Sequence, residues 1–394
     1  MSATKVVCSL SRQGAPTYLC ALFEALQFDR ASFAGLQRLD SAEWDALLQW
    51  CGPRQLVLML PHVCAEALPP AIRLRIEKCQ KRYSVRFSRL KQQLVAITRA
   101  LDSAGIEFAL LKGLSHSPAL TANPLLRAQG DIDLWIPGLA VYKGEALLRR
   151  MGYVPFDSAK SRHLSPMRLP SNWSWRGDLF DPEMPVSVEL HYELWSSAAE
   201  RIPVTGLAEF WSRRVQRDFG GATAAVLCDE DLLGFAALHL LLHVLHGEFP
   251  AQRAWEIGNF LNARSGGDEF WTSWRASHPK SLRRLEAVVF ELVRKWFACA
   301  LPDLVEQEIK MLPRRVTAWL EASALSPVLH SFRANKDEIG LHLALVPPAD
   351  RAAIVIRRLF PLRGTELRSF RRAAFHVQTL LPSAWEGVRW LLSR

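Results

Sequence analysis

The hydrophobic period of this chain changes at Gly105, and that break limits the possible folds more than any other feature. Before it, apolar residues recur at helical spacing. Ser41 precedes Glu43 and Trp44 and can cap a helix running to Trp50; an apolar segment from Arg54 to Leu68 ends at Pro69-Pro70; and a long basic amphipathic stretch runs from Ile72 to Leu101. After the break, Ile106 to Leu111 is a short apolar run bounded by Gly105 and Gly113, which predicts a buried strand. Asp131-Ile-Asp-Leu-Trp-Ile136 alternates polar and apolar residues as a half-buried strand does, stops at Pro137-Gly138, and precedes a helix from Ala140 to Met151. A Trp-, Pro- and Gly-rich loop region covers Pro155 to Pro185, and Val186 to His191 alternates again as a third strand. Beyond Asp229 the helical period returns over Leu232–His246, Arg253–Ala263, Glu269–Ala276 and Ser281–Cys299. The chain therefore reads as α+β. A core at 105–220 lies between helical regions at 1–104 and 221–394, with no internal repeat or low-complexity segment.

With 394 residues, 49% of them apolar, the chain can bury a sizeable core. A formal charge of +10 favours acidic partners: a nucleotide, a nucleic acid, an anionic membrane surface or an acidic peptide. The cysteines (Cys8, Cys20, Cys51, Cys64, Cys79, Cys228 and Cys299) are scattered and form no CxxC pair. That pattern argues against a disulfide framework or zinc knuckle and suits a reducing, cytoplasmic location. No apolar leader is expected at the N-terminus, and Leu232–Leu245 is too short to span a bilayer. The Arg and Lys of 72–101 are expected to form a solvated face. From Arg351 to Arg394, nine arginines stand against two acids, with Phe and Trp between them. This tail is either a surface for an anionic partner or a helical pack with its arginines toward water.

Asp131 and Asp133 carry the chemistry. Residues i and i+2 of a strand share a face about 6.5–7 Å apart, so the two carboxylates can jointly hold Mg²⁺, or Mn²⁺, against phosphate oxygens. Ile132 and Leu134 pack on the opposite face. Lys112-Gly113 after the first strand offers a cation and a bare backbone to a triphosphate, Arg127 is a candidate phosphate clamp, and Glu189 can supply a third carboxylate. His191 shares a strand face with Glu189 and orients it, meets the substrate or serves a structural role. His239, His243 and His246 fall on one helical face; buried, hydrogen-bonded histidines are preferred there over a metal set. Trp173 and Trp175 are expected to pin their loop to the core. No P-loop, dinucleotide glycine pattern, GxSxG or HExxH occurs.

The array Leu110-Leu-Lys-Gly113, Arg127, Gly130-Asp-Ile-Asp-Leu134 and Val188-Glu-Leu-His191 resembles the bacterial "nucleotidyltransferase family protein" group of the polymerase-beta-like superfamily. The likeness extends from the Trp44-Asp-Ala-Leu-Leu48 helix to Arg253-Ala-Trp-Glu-Ile257, about residues 40 to 275. It implies a polymerase-beta-like core, metal binding by Asp131, Asp133 and Glu189, and nucleotide contacts at Lys112, Gly113, Ser115, Arg127 and His191, and it allows one of His239, His243 and His246 to line the nucleotide pocket. Two features depart from the broader superfamily: Lys112-Gly113 replaces a Gly-Ser or Gly-Gly pair, with Ser115 slightly later, and Glu189 stands where Asp is common. The implied reaction is Mg²⁺-assisted transfer of a nucleotidyl group from an NTP to an acceptor (peptide, saccharide, small molecule or nucleic acid), releasing pyrophosphate. Two other readings are a tailoring enzyme that moves another phosphate-linked group onto a peptide or saccharide, and an inactive binding protein on the same scaffold.

Overall fold

The computed structural model describes residues 9–331 and 336–359. Its strands are β1 (Ala109–Leu111), β2 (Asp131–Trp135), β3 (Val154–Pro155), β4 (Met167–Arg168), β5 (Ser187–His191), β6 (Val215–Asp218) and β7 (Thr223–Val226). They form one mixed sheet in the order β3-β4-β5-β2-β1-β7-β6. The longer helices before and within the sheet are α1 (Thr17–Ala25), α2 (Ser41–Cys51), α3 (Pro70–Ser103) and α4 (Ala140–Arg150). After it come α5 (Asp229–Leu245), α6 (Ala251–Ala263), α7 (Asp268–Ser277), α8 (Lys280–Phe297), α9 (Asp303–Lys310), α10 (Arg314–Ser323), α11 (Asp337–Leu345) and α12 (Arg351–Leu359). Buried apolar side chains form one continuous cluster from Leu10 to Ile354, and no described helix is long and apolar enough to cross a membrane.

Local chemistry explains where the elements depart from the sequence expectation. The cap of α2 is Asp40, not Ser41: Asp40 Oδ1 accepts from the Glu43 amide at 2.8 Å while Glu43 Oε2 accepts from the Asp40 amide at 3.1 Å, the reciprocal capping box. Strand β1 is shorter than Ile106–Leu111 because the Ile106 amide donates back to Leu101 O at 3.0 Å to close α3, with Gly105 at φ +63° making the turn. The β6–β7 hairpin was not expected. Val215 on it is 43% exposed, so the apolar alternation is weak, although Gly220-Gly221 between the strands is a hairpin signal. Strand β3, at the start of the region read as loop, and β4, inside it, are two residues each and too short to show a period.

The sheet register positions the candidate site. Strand β2 pairs parallel with β5, setting Asp131 beside Ser187, Asp133 beside Glu189 and Trp135 beside His191. Neighbours in register point to the same face, so Asp133 and Glu189 lie side by side. Strand β1 runs antiparallel to β2 with Leu111 opposite Asp133, which brings Lys112 to the end of the carboxylate row.

Several basic residues do not face water. On α3, Arg86 is 2% exposed, and its Nη1 donates to Leu179 O at 2.8 Å; Arg82 pairs with Asp178 at 2.7 Å. These contacts fasten the 178–182 loop to α3, so the expected solvated face is only partly one. On α12, Arg351 Nε donates to Leu343 O at 3.0 Å, Arg357 donates to Ala199 O, and Arg358 donates to Leu245 O and lies 3.4 Å from Glu338 Oε1. Arg351 and Arg358 are partly buried, whereas Arg357 stays exposed while bonding to the chain. The rest of the basic tail, 360–394, on which the anionic-partner expectation mainly falls, lies outside the described residues.

Candidate active site

Three strands converge on Asp133. Lys112 leaves β1 at φ 51°, ψ −169°, a region used almost only by glycine and costing a side-chain-bearing residue about 1–3 kcal/mol. Its Nζ sits 2.5 Å from Asp133 Oδ1 and 3.6 Å from Glu189 Oε2. His191 Nε2 lies 2.8 Å from the same Asp133 oxygen and 3.5 Å from Glu189 Oε2, and His163 Nε2 approaches Glu189 to 3.8 Å. Burial raises the pKa of Asp133, but the Lys112 ammonium and the His191 bond outweigh it and hold the carboxyl far below the usual range. Glu189 is shifted down in the same way, with burial opposed chiefly by the His191 bond.

Asp131 behaves differently. Its side chain makes no hydrogen bond or ion pair among the described residues. Burial, then the charge on Asp133, push its pKa up to about 6. It lines a cavity of about 180 Å³ together with Lys112, Arg86, Arg127, Gln129 and Arg253. The expected clamp Arg127 is ion-paired with Glu256 of α6 and lies 3.0 Å from His116 Nδ1. Burial and Arg127 push that imidazole down to about 4. Gly113, at φ +47°, has no room for a Cβ because the Gln129 carboxamide would collide with it. The Ser115 hydroxyl donates to Lys112 O at 2.8 Å and so holds the turn. Arg217 of β6 fixes the same turn from outside through Ser115 O at 2.7 Å and Ser117 O at 2.6 Å.

Sequence reasoning assigned no role to Arg86, Gln129 or Arg253. Each lines the cavity, and each carries buried donors without a partner: Arg86 Nε and Nη2, Gln129 Nε2 and Arg253 Nε. Unpartnered buried donors are rare and expensive, and they mark places where a ligand completes the hydrogen bonding. Arg253 Nη1 rests 2.7 Å from His243 Nε2 and 3.1 Å from His239 Nδ1 on α5. Burial, followed by Arg253 for His239 and opposed by the Glu248 bond for His243, keeps both imidazoles below their ordinary pKa, His243 at about 4. His246 turns away to Glu200 at 3.2 Å. His239 and His243 thus share Arg253 and lie 3.2 Å apart, His246 bonds elsewhere, and the three form no metal set among the described residues. Trp173 donates to Asp181 Oδ2 at 2.9 Å and pins its loop, whereas Trp175 is 57% exposed, contrary to expectation.

The sequence profile of a family described as uncharacterised nucleotidyltransferase matches residues 40–298, most of the chain. The chain belongs to that family. No curated protein and no solved structure matches it. In this family member the matched stretch runs from the capping box of α2 to the end of α8 and contains all seven described strands and every residue lining the cavity.

A divalent cation of the kind that nucleotidyl transfer uses can be tested against these residues. Asp133, Glu189 and His191 offer ligand atoms within 4.8 Å of one another. Asp131, expected to complete the set, stands outside that group with a carboxylate whose ionisation nothing nearby fully balances. Carboxylates suit Mg²⁺ and Mn²⁺, and an imidazole in the set is the more compatible with Mn²⁺. The donor chemistry fits a cation, with the Lys112 ammonium already lying between Asp133 and Glu189.

Proposed function

We propose that this chain is a divalent-metal-dependent nucleotidyltransferase, acting through a polymerase-beta-like core at about 105–220. It transfers a nucleotidyl group from an NTP to an acceptor and releases pyrophosphate. One observation carries the reading: the cavity sets the carboxylate of Asp131 against Arg86, Gln129 and Arg253, whose buried donors lack partners. Acid beside unpaired cations is what a triphosphate accompanied by a metal ion requires. The metal ion, when bound, neutralises charge on the transferring phosphoryl group. Asp131 and Asp133 bind it, Arg86 and Arg253 orient the phosphates, and Lys112 keeps Asp133 ionised. The acceptor oxygen bonds to the α-phosphorus while the bond to the bridging oxygen of the β-phosphate breaks. Glu189, partly open beside Asp133, takes the acceptor's proton.

The test supplies each NTP, with Mg²⁺ or Mn²⁺, together with pools of peptide, saccharide, small-molecule and nucleic-acid acceptors. A mass gain of one nucleotidyl unit with equimolar pyrophosphate is expected. A different phosphate-linked adduct would replace this reading with the tailoring enzyme. The scaffold reading has the Lys112–Asp133 ion pair in its favour, and nucleotide binding without turnover in every pool would establish it. Arg86→Ala is expected to raise the KM for the NTP about 10–100-fold, the worth of one charged hydrogen bond. An unchanged KM in a folded variant would remove Arg86 from the phosphate site.

A further inference from the structure

The proposed reaction does not explain why Lys112 is held where it is. A lysine that only met phosphates could reach them from a relaxed backbone and a solvated side chain. This one is held in a glycine-like conformation at φ 51°, and its side chain is 8% exposed. Three contacts specify its place. The pairing of Leu111 with Asp133 delivers the next residue to the carboxylate row. The Ser115 hydroxyl holds the Lys112 carbonyl, and Arg217 holds the turn beyond it. Backbone strain kept in place by surrounding structure points to a function for the side chain.

The ammonium stands between two carboxylates, 2.5 Å from Asp133 Oδ1 and 3.6 Å from Glu189 Oε2. Dinuclear phosphoryl-transfer sites hold two ions roughly 3.5–4 Å apart on shared carboxylates. A divalent ion ligated by Asp133 Oδ1 and Glu189 would need oxygens at roughly 2.0–2.5 Å, and would lie almost on the lysine nitrogen. Asp133 Oδ1 is also engaged by His191 Nε2 at 2.8 Å. Asp131, in contrast, has no partner among the described residues and opens to the cavity with the unpaired arginine donors. One pole of the acidic row is therefore already neutralised by the chain itself, and the other is not.

We propose that this site takes a single divalent cation, at Asp131 and Asp133 Oδ2, and that Lys112 supplies the charge a second ion would supply between Asp133 and Glu189. Lys112 forms no bond to the substrate. The inference rests on the metal-dependent transfer reading and narrows it.

Mn²⁺ titration of the full chain followed by electron paramagnetic resonance tests this, alone and with α,β-methylene analogues of each NTP. Wild type is expected to bind one Mn²⁺ per chain with an uncoupled six-line spectrum. Lys112→Gly removes the ammonium and suits the local backbone; it is expected to bind two ions with an exchange-coupled spectrum. Lys112→Met, which keeps the bulk without the charge, guards against a loosened turn, and thermal melting reports whether each variant is folded. A coupled pair in wild type overturns the proposal, whatever the variants do. One ion in wild type and in both folded variants, with transfer activity present in wild type, overturns it and leaves the transfer reading standing. No Mn²⁺ bound by any of the three overturns both.

Discussion

Asp131→Asn is expected to abolish transfer and, in EDTA, to make the protein more stable. Activity should fall by on the order of 10³-fold or more, as when a group stabilising transition-state charge is removed. The structure loses nothing in exchange, because the Asp131 side chain makes no hydrogen bond or ion pair among the described residues. Burial and Asp133 push its pKa up to about 6. The fold therefore binds the Asp131 proton more tightly than the unfolded chain does, and stability drains away as pH rises from the ordinary carboxylate range to about 6, then stays level. The asparagine variant should lack that slope and gain on the order of 1–3 kcal/mol at pH 7.5. Urea unfolding in EDTA at several pH values, beside a turnover assay, reads both effects. A variant that keeps a tenth of wild-type activity would remove Asp131 from the reaction.

Raising the pH from 6 to 9.5 is expected to remove about 3 kcal/mol of stability through His278 alone. That residue follows α7 and is fully buried, with Nε2 3.1 Å from Asp231 Oδ1 on α5 and Nδ1 2.9 Å from Glu286 Oε1 on α8. Burial by itself would lower its pKa, but the charge of Glu286 and the bonds to Asp231 and Glu286 outweigh burial and raise it to about 9. For a raised histidine the contribution is complete below the unfolded value of about 6.5 and disappears as pH climbs through about 9. Gly234 of α5 belongs to the same arrangement, since a Cβ there would come 2.8 Å from His278 Cε1. His278→Phe leaves two buried carboxylates facing each other, with Arg213 on Asp231 at 2.7 Å as a counter-charge, and should cost about 3–5 kcal/mol at pH 6.5. If wild type and the Phe variant show the same stability difference at pH 6.5 and 9.5, His278 is not charged in the fold.

How much of this was legible in the sequence depended on whether period or register carried the information. Strands β2 and β5 and helices α3, α6 and α8 declare themselves by apolar period, and α5 by a nearly unbroken apolar run that is buried almost all round. The strand alternation puts Asp131 and Asp133 on one face of β2 and Glu189 with His191 on one face of β5; only the parallel register sets Asp133 beside Glu189. The direction of Lys112 does not follow from it, because only the antiparallel pairing of Leu111 with Asp133 turns it onto the acids. Arg86 could have been found: it lies three residues after Tyr83 and four before Leu90, both buried on the inner stripe of α3, so the helical period already placed a charge inside. Arg253 and Gln129 could not. Their meeting with Asp131 depends on how α6 and the segment before β2 pack against the sheet.

The backbone bonds made by the arginines of α12 also bear on how the tail can be studied. Arg358 donates to the carbonyl of Leu245, the last residue of α5, so a side chain more than a hundred positions away caps that helix and meets the negative end of its dipole. Helix α5 carries His239 and His243 against Arg253. A truncation beginning at Arg351 would thus uncap the helix that supports the cationic side of the cavity, and lost activity would say nothing about acceptor recruitment. A stop placed after Leu359 retains the cap and separates the two.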